Sequence, residues 1–118
     1  MGYPCRMADK WELFDQGVDL VADGRTEEAV ARYEEAIALD PAFADAWQGL
    51  ALAFQELGRF AQAIEAGKKL CELTPDDVLA HTTLSRIYQA AGMVPEAEAE
   101  GGKARLLDWK RQLKGDGA

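Results

Sequence analysis

The sequence predicts an all-α fold, a right-handed α-solenoid of three helix-turn-helix repeats whose last helix is extended as a cap. Three observations predict it. Sliding the 118-residue chain by 34 residues brings residues of like character into register. Within each unit the apolar residues recur at helical spacing. The second helices of the first two units stop at Asp40-Pro41 and Thr74-Pro75, because the residue before a proline avoids the helical region.

The register groups small residues with small ones, large apolar residues with large apolar ones, and turn formers with turn formers. The aligned sets are Gly24, Gly58 and Gly92; Ala29, Ala63 and Ala97; Leu39, Leu73 and Leu107; Gly17, Ala51 and Ser85; and Leu20, Phe54 and Tyr88. The pattern predicts helices at 8–22, 26–39, 43–56, 60–73, 77–90 and 94–113. The repeats then span 9–42, 43–76 and 77–114, with tails at 1–8 and 115–118. Gly67 and Gly101 replace the aromatic residue kept as Tyr33, which predicts closer contact with the next helix.

The middle unit resembles the tetratricopeptide repeat. It carries Trp47, Gly58, Ala63 and Pro75 at the spacing of that family's signature. The resemblance covers residues 10–111, with departures in the outer units, such as His81 in the tryptophan slot of the third. It implies a protein–protein interaction module, an adaptor or scaffold rather than an enzyme.

The resemblance also implies where a partner lies. In this family the first helix of each pair lines a concave face that holds extended or helical peptides. The predicted groove has three strips: Trp11, Phe14, Val18 and Val21; Asp45, Gln48, Leu52 and Gln55; and Leu79, Thr82, Arg86 and Gln89. The groove is thus expected to be apolar at its first end and polar at its other end.

Trp11, Phe14 and Val18 form a second apolar stripe on the first helix, beside its inward face. Three interpretations stay open. The stripe binds a partner or a second copy of the chain, residues 1–7 fold back over it, or the helix is rotated by a few tens of degrees.

Chaperone-docking members of this family grip a C-terminal carboxylate with lysine, asparagine and arginine side chains. The matching slots here are Phe14, Val18, Gly49, Leu79 and Thr83. None offers a charged donor to a carboxylate, so this docking mode is not expected. We expect an apolar side chain of the partner to be bound by Trp11 and Phe14 instead.

The last helix continues past the earlier repeat ends because Trp109 stands in the proline slot. Its apolar stripe is Leu106, Trp109 and Leu113, and its end carries Lys110, Arg111 and Lys114. The favoured interpretation is a lid over the open apolar edge of the third repeat. The alternative is a basic amphipathic helix for a membrane surface or an acidic partner.

The net charge of the chain limits the kinds of partner that it is expected to bind. The net charge is −8, which argues against nucleic acid. Residues 1–102 hold eight Lys and Arg against nineteen Asp and Glu, whereas residues 103–118 hold five against two. The body is therefore expected to favour neutral or cationic protein partners, without membrane insertion.

Catalysis and cofactors find no support in the sequence. His81, the only histidine, falls in a core slot, and Cys5 and Cys71 lack metal-ligand spacing. We therefore expect no catalytic residue, no metal and no cofactor. Two cysteines and the lack of a signal-peptide core favour a cytoplasmic location. Alternative functions are self-association through Trp11, Phe14 and Val18, or a small secretion or assembly chaperone.

Overall fold

The computed structural model describes residues 9–116, which form six α-helices and no strand. The helices are α1 (Lys10–Ala22), α2 (Thr26–Leu39), α3 (Ala44–Glu56), α4 (Phe60–Leu73), α5 (Val78–Ala90) and α6 (Val94–Asp116). The predicted boundaries agree to within three residues, and the largest difference is that α6 runs on to Asp116. None of the described helices is long and apolar enough to cross a membrane.

Each hairpin turn is closed by a glycine in the left-handed region. Gly24 has φ of +79°, and the amide of the next residue, Arg25, donates to the Leu20 carbonyl oxygen at 2.8 Å. This is the Schellman arrangement, which satisfies carbonyl groups that the helix end leaves without partners. The same turn recurs at Gly58 and Gly92. The glycine register in the sequence therefore has a direct backbone cause.

The helices stack as a single array of hairpins. α1 packs on α2, α3 on α4 and α5 on α6, while α2 also packs on α3 and α4 on α5. The first helices of successive hairpins are neighbours on one side, since α1 contacts α3 and α3 contacts α5. The predicted all-α solenoid of helix-turn-helix repeats is therefore confirmed. We call the packing of α2, α3 and α4 the first junction, and that of α4, α5 and α6 the second junction.

Small residues let the helices approach, and one aromatic ring fills the space that they leave. Tyr33 is 3% exposed and lies against two glycines of neighbouring helices. A Cβ atom built on Gly17 or Gly49 would come within 2.6 or 2.7 Å of its ring. In the second junction Gly67 stands in the slot of Tyr33, and a Cβ there would lie 2.9 Å from Leu84. The closer contact predicted for Gly67 is present.

The end of α6 departs from the expectation of a lid. Leu106, Trp109 and Leu113 are 49%, 58% and 53% exposed, so this stripe does not cover the third repeat. The reason is the face that α6 turns inward, where the buried residues are the small Ala97 and Ala104. The interpretation of the stripe as a lid was wrong. α6 instead presents an exposed apolar stripe on a basic segment.

Candidate functional site

An aromatic cluster closes the outer end of the concave face. The Phe14 ring lies 5.7 Å from that of Phe43 and 5.8 Å from that of Tyr33, measured between centroids. Trp11 packs edge-on against Phe43 at 4.7 Å. Edge-to-face and tilted pairs at these separations are favourable for aromatic rings. The cluster holds Phe14 half-buried, while Trp11 stays 52% exposed at the rim.

Next to this cluster lies a cavity of about 310 Å³ between α1 and α3, which we call the groove pocket. Its lining residues are Phe14, Val18, Tyr33, Asp45, Gln48, Gly49 and Leu52. Val18 and Leu52 are 44% and 41% exposed, so the pocket has an apolar wall on each side. The carboxylate of Asp45 and the amide of Gln48 are its polar groups. The arrangement can hold one apolar side chain and offer hydrogen bonds beside it.

The structure divides the twelve predicted groove residues into groups. Phe14, Val18, Asp45, Gln48 and Leu52 meet at the groove pocket. The other seven lie outside that pocket. Trp11 is at the aromatic rim, Val21 and Gln55 are half-buried, and Arg86 is exposed. Leu79 and Thr82 line a separate cleft, and Gln89 borders a smaller cavity of about 160 Å³ with Ser85 and Val94. Sequence reasoning missed Tyr33 as a pocket wall, because a residue in a core slot of a second helix gives no sign of reaching the concave face.

The three interpretations of the α1 stripe have different outcomes. Leu13 and Gly17 are buried, as expected for the inward face, and Phe14 is partly turned toward the core. Trp11 and Val18 remain exposed, so rotation accounts for only one of the three stripe residues. Coverage by residues 1–7 lies outside the described part of the chain. Binding of a partner or of a second copy at this stripe stays a prediction.

A larger cleft of about 660 Å³ separates the start of α5 from the end of α6. Leu79 and Thr82 form its floor on α5, and Leu107 is its apolar contribution from α6. One wall is acidic and the other basic; the charged residues are Asp76 and Asp77 opposite Lys110, Arg111 and Lys114. This cleft carries charges of both signs, whereas Asp45 is the one charged residue among the described residues that line the groove pocket.

A third feature is a polar cluster inside the second junction. Cys71 on α4, His81 on α5 and Glu100 on α6 bring their ligand atoms within 4.8 Å of one another. His81 Nδ1 lies 2.8 Å from Oε1 of Glu100, and its Nε2 lies 2.7 Å from the Pro75 carbonyl oxygen. Lys103 donates to the other Glu100 oxygen at 2.9 Å. Residues distant in sequence thus converge, which their spacing could not reveal.

Two pKa shifts characterise this cluster. Burial, reinforced by the Glu100 carboxylate, raises the pKa of the Cys71 thiol to about 11. Burial also acts to raise the pKa of Glu100, but hydrogen bonds from His81 and Lys103 outweigh it, so that pKa lies below its usual value. Glu100 is therefore a carboxylate and Cys71 a thiol at neutral pH. A thiol is a poor nucleophile, so the trio does not form an activated cysteine.

The fold and its concave groove define an α-solenoid of helix-turn-helix repeats. A family model described as tetratricopeptide repeat matches residues 14–78, and the chain belongs to that family. The matching model is not that of a catalytic family.

Curated relatives are longer proteins. Superkiller complex protein 3 of Mus musculus is 29% identical over 93 residues, covering 79% of this chain and 6% of that protein. The tetratricopeptide repeat and J domain-containing co-chaperone DNJ1 of Fusarium oxysporum is 38% identical over 81 residues, covering 69% of this chain and 16% of that protein. The chain thus spans a small part of the relatives that it matches.

Solved structures of the same fold agree closely. The crystal structure of MamA superposes with a TM-score of 0.83 at 25% identity, covering 88% of this chain and 61% of that chain. The second tetratricopeptide domain of Spaghetti (RPAP3), bound to the HSP90 peptide SRMEEVD, gives a TM-score of 0.78 at 21% identity, covering 84% of this chain and 92% of that chain. At that identity the second likeness shows the fold alone.

Proposed function

We propose that this chain is a protein-interaction module, an adaptor or scaffold that holds a segment of a partner protein across its concave face. The observation that carries the proposal is the groove pocket, where residues of α1 and α3 enclose about 310 Å³ on that face. A cavity of this size accepts one large apolar side chain, and such an anchor is the usual source of affinity in peptide recognition. Membership of the repeat family supports the proposal.

The chemistry of the pocket specifies the anchor and its neighbours. Val18, Tyr33 and Leu52 offer apolar contact, whereas Asp45 places a carboxylate at the same cavity. Residues 1–102 are strongly acidic, with eight basic residues against nineteen acidic ones. A partner segment with an apolar residue next to a lysine or arginine is therefore the best match. Trp11, exposed at the rim, is the second apolar contact of the predicted strip.

The same pocket disfavours the carboxylate docking used by chaperone-docking members of the family. Three of the slots that correspond to a carboxylate clamp are Phe14, Val18 and Gly49, and all three line the groove pocket. A terminal carboxylate placed there would lose its hydration without gaining a cationic partner, and it would face Asp45. We infer that the slot binds an apolar side chain instead.

The test is selection of binders from a random peptide library, followed by titration of the selected peptides against variants. Val18→Asp places a carboxylate in the pocket at an exposed position, so the fold is preserved, and it should weaken binding by roughly 10-fold or more. Val94→Asp is the matched control, because Val94 is 52% exposed and lies at the start of α6, away from the pocket. It should leave affinity unchanged.

Two results would contradict the proposal. Equal affinity for wild type and Val18→Asp would show that the pocket is not the site. Selected peptides that lose binding on C-terminal amidation would show that a carboxylate is the recognised group. Phe14→Ala removes another wall of the pocket, and this variant should also bind the selected peptides more weakly than wild type.

Self-association is the second candidate function, favoured by the exposed stripe of Leu106, Trp109 and Leu113 on α6. The stripe lies at the opposite end of the array from Trp11 and Val18, on a segment whose charge is opposite to that of the body. Head-to-tail association of two copies would pair these surfaces. Light scattering over a range of protein concentration tests it, and a monomer throughout would exclude it. A cytoplasmic location and a chaperone role stay predictions.

A further inference from the structure

The second junction departs from the first at three positions that correspond in the 34-residue register. Where the first junction has Ile37, Trp47 and Ala66, the second has Cys71, His81 and Glu100. Three apolar slots on three different helices are thus replaced together by a sulfur, a nitrogen and an oxygen ligand. Their ligand atoms lie within 4.8 Å of one another. Neither packing nor the repeat pattern requires this combination, because the first junction stacks without it.

One ring contact is shared by both junctions and orients His81. Trp47 Nε1–H donates to the Pro41 carbonyl oxygen at 2.8 Å, and His81 Nε2 lies 2.7 Å from the corresponding Pro75 carbonyl oxygen. Because a carbonyl only accepts, Nε2 of His81 carries a proton. Nδ1 contacts the Glu100 carboxylate, which also only accepts, so an ion bound at Nδ1 must displace the proton of this hydrogen bond. A histidine that ligates a metal usually donates its other ring N–H to a carbonyl or carboxylate, which is the arrangement here.

We propose that Cys71, His81 and Glu100 form a Zn²⁺ site that joins α4, α5 and α6. Thiolate, imidazole and carboxylate are the three ligand types that Zn²⁺ prefers, whereas Ca²⁺ and Mg²⁺ require oxygen ligands. Binding releases the thiol proton of Cys71 to solvent, and the resulting thiolate and the Glu100 carboxylate together neutralise the charge of the ion. Lys103, on the outer oxygen of Glu100, orients that carboxylate as an outer partner.

The geometry requires only small movements. Tetrahedral Zn²⁺ with bonds of about 2.0–2.3 Å sets its ligand atoms roughly 3.3–3.8 Å apart. The Nδ1–Oε1 pair, now at 2.8 Å, must open slightly, and the widest separation in the cluster, at most 4.8 Å, must close by about 1 Å. Three protein ligands leave a fourth position for water, as in open zinc sites.

The site would act as a clamp on the last repeat. α6 packs against α5, and no further repeat lies beyond it among the described residues to hold it in place. A bound ion adds a bond from α6 to α4, through Glu100 and Cys71, across the second junction. Among the described residues α6 packs against α5 alone, so a metal link adds a contact to α4 that helix packing does not supply. None of the three proposed ligands lines the groove pocket.

The experiment is titration of the reduced full-length chain with Co²⁺ and Zn²⁺ after chelator treatment. We expect one ion per chain, with the thiolate-to-cobalt charge-transfer absorption and the visible bands of a tetrahedral Co²⁺ ion. Zn²⁺ should displace the Co²⁺ signal. At free Zn²⁺ about 100 times the Kd, the Tm should rise by roughly 10 °C, because an ion that binds only the folded state stabilises it.

Each variant introduces the residue that the first junction has at the corresponding register position. Cys71→Ile, His81→Trp and Glu100→Ala should each reduce affinity by at least the roughly 10- to 100-fold that loss of an outer partner costs. Cys5→Ser and Glu98→Ala are the controls, one for the other thiol and one for an exposed carboxylate on α6, and both should bind like wild type. Circular dichroism of each variant confirms its helical content.

Several outcomes would overturn the proposal. Binding without a charge-transfer band, or with unchanged affinity in Cys71→Ile, would place the ion on surface carboxylates. Loss of binding in Cys5→Ser alone would place it on the other thiol. No uptake at millimolar Co²⁺ by a folded chain would show that the cluster is only a hydrogen-bonded polar contact.

Discussion

The first and second junctions share one spacing and differ in chemistry. In the first, Tyr33 fills the space between helices, and its buried neighbours are alanines and large apolar side chains. In the second, a buried cluster of apolar side chains around Leu84 lies beside the polar trio of Cys71, His81 and Glu100. The difference shows that a repeat fixes where helices meet, while the residues at the meeting points remain free to take on other roles.

The constant part of both junctions is the ring N–H bond to a proline carbonyl. It ties the first helix of a repeat to the turn that precedes it, at Pro41 and at Pro75. The stacking geometry thus tolerates a histidine in place of tryptophan, because the smaller ring keeps the donor. What the histidine adds is a second nitrogen, and that nitrogen meets a carboxylate.

The largest loss of unfolding free energy is expected from a substitution in the first junction. Tyr33→Ala removes a 3% exposed ring that contacts Gly17 and Gly49, and the cavity should cost about 3–5 kcal/mol of unfolding free energy. Urea unfolding followed by circular dichroism measures it. Tyr33→Phe keeps the ring and is the control, with a cost below about 1.5 kcal/mol. Equal stability of wild type and Tyr33→Ala would mean that the glycine-lined space closes without the ring.

The second largest change in unfolding free energy is expected in the polar cluster of Cys71, His81 and Glu100, measured without metal. Glu100→Ala leaves His81 and Lys103 without their acceptor, and it should cost about 1–3 kcal/mol in the presence of chelator. The triple variant Cys71→Ile, His81→Trp, Glu100→Ala copies the first junction, and it should recover that loss, because replacing all the partners of a buried polar contact by apolar groups can be nearly neutral or stabilising. A triple variant less stable than Glu100→Ala would show that the two junctions are not interchangeable.

Much of the fold was predictable because small and turn-forming residues recur at the same positions of each repeat. Gly24 and its counterparts fix the turns, and the prolines after α2 and α4 fix the helix ends, so the boundaries followed directly. The end of α6 was not predictable in the same way. The spacing of Leu106, Trp109 and Leu113 shows that they share one face of α6, but it does not show whether that face is buried. The buried face of α6 is the one with the small residues Ala97 and Ala104.

The sites were predictable only in part, for a related reason. The 34-residue register predicts that the first helices lie side by side, and Phe14, Val18 and Leu52 of those helices line one pocket. Their role in binding stays a prediction. The register could not show that Tyr33 of a second helix reaches the same pocket, nor that Cys71, His81 and Glu100 meet across three helices. Those contacts depend on the length and orientation of side chains in the packed helices, and the 34-residue period alone does not predict either.

The smallest expected effect concerns acid stability at the outer end of the first repeat. The Lys10 hydrogen bond, together with one from the Ala42 amide, lowers the pKa of the Asp40 carboxyl below its usual value. A carboxyl with a lowered folded pKa contributes stability above its unfolded pKa, and that stability is lost as the pH falls through the folded pKa. Stability should therefore decline more steeply below about pH 4 in wild type than in Asp40→Asn.

Lys10→Met separates this ion pair from other carboxylates that titrate in the same range. If the pair is the main cause, Asp40→Asn and the double variant should share one flat acid profile. Lys10→Met should lie between them and wild type, because the Ala42 amide still lowers the pKa of Asp40. The effect is small since both side chains are about one-third exposed, and water and salt screen the charges. Thermal unfolding between pH 3 and pH 6 at low salt measures it. A Lys10→Met profile as steep as wild type would assign the acid response elsewhere and leave Lys10 with its contact to the Phe43 ring alone.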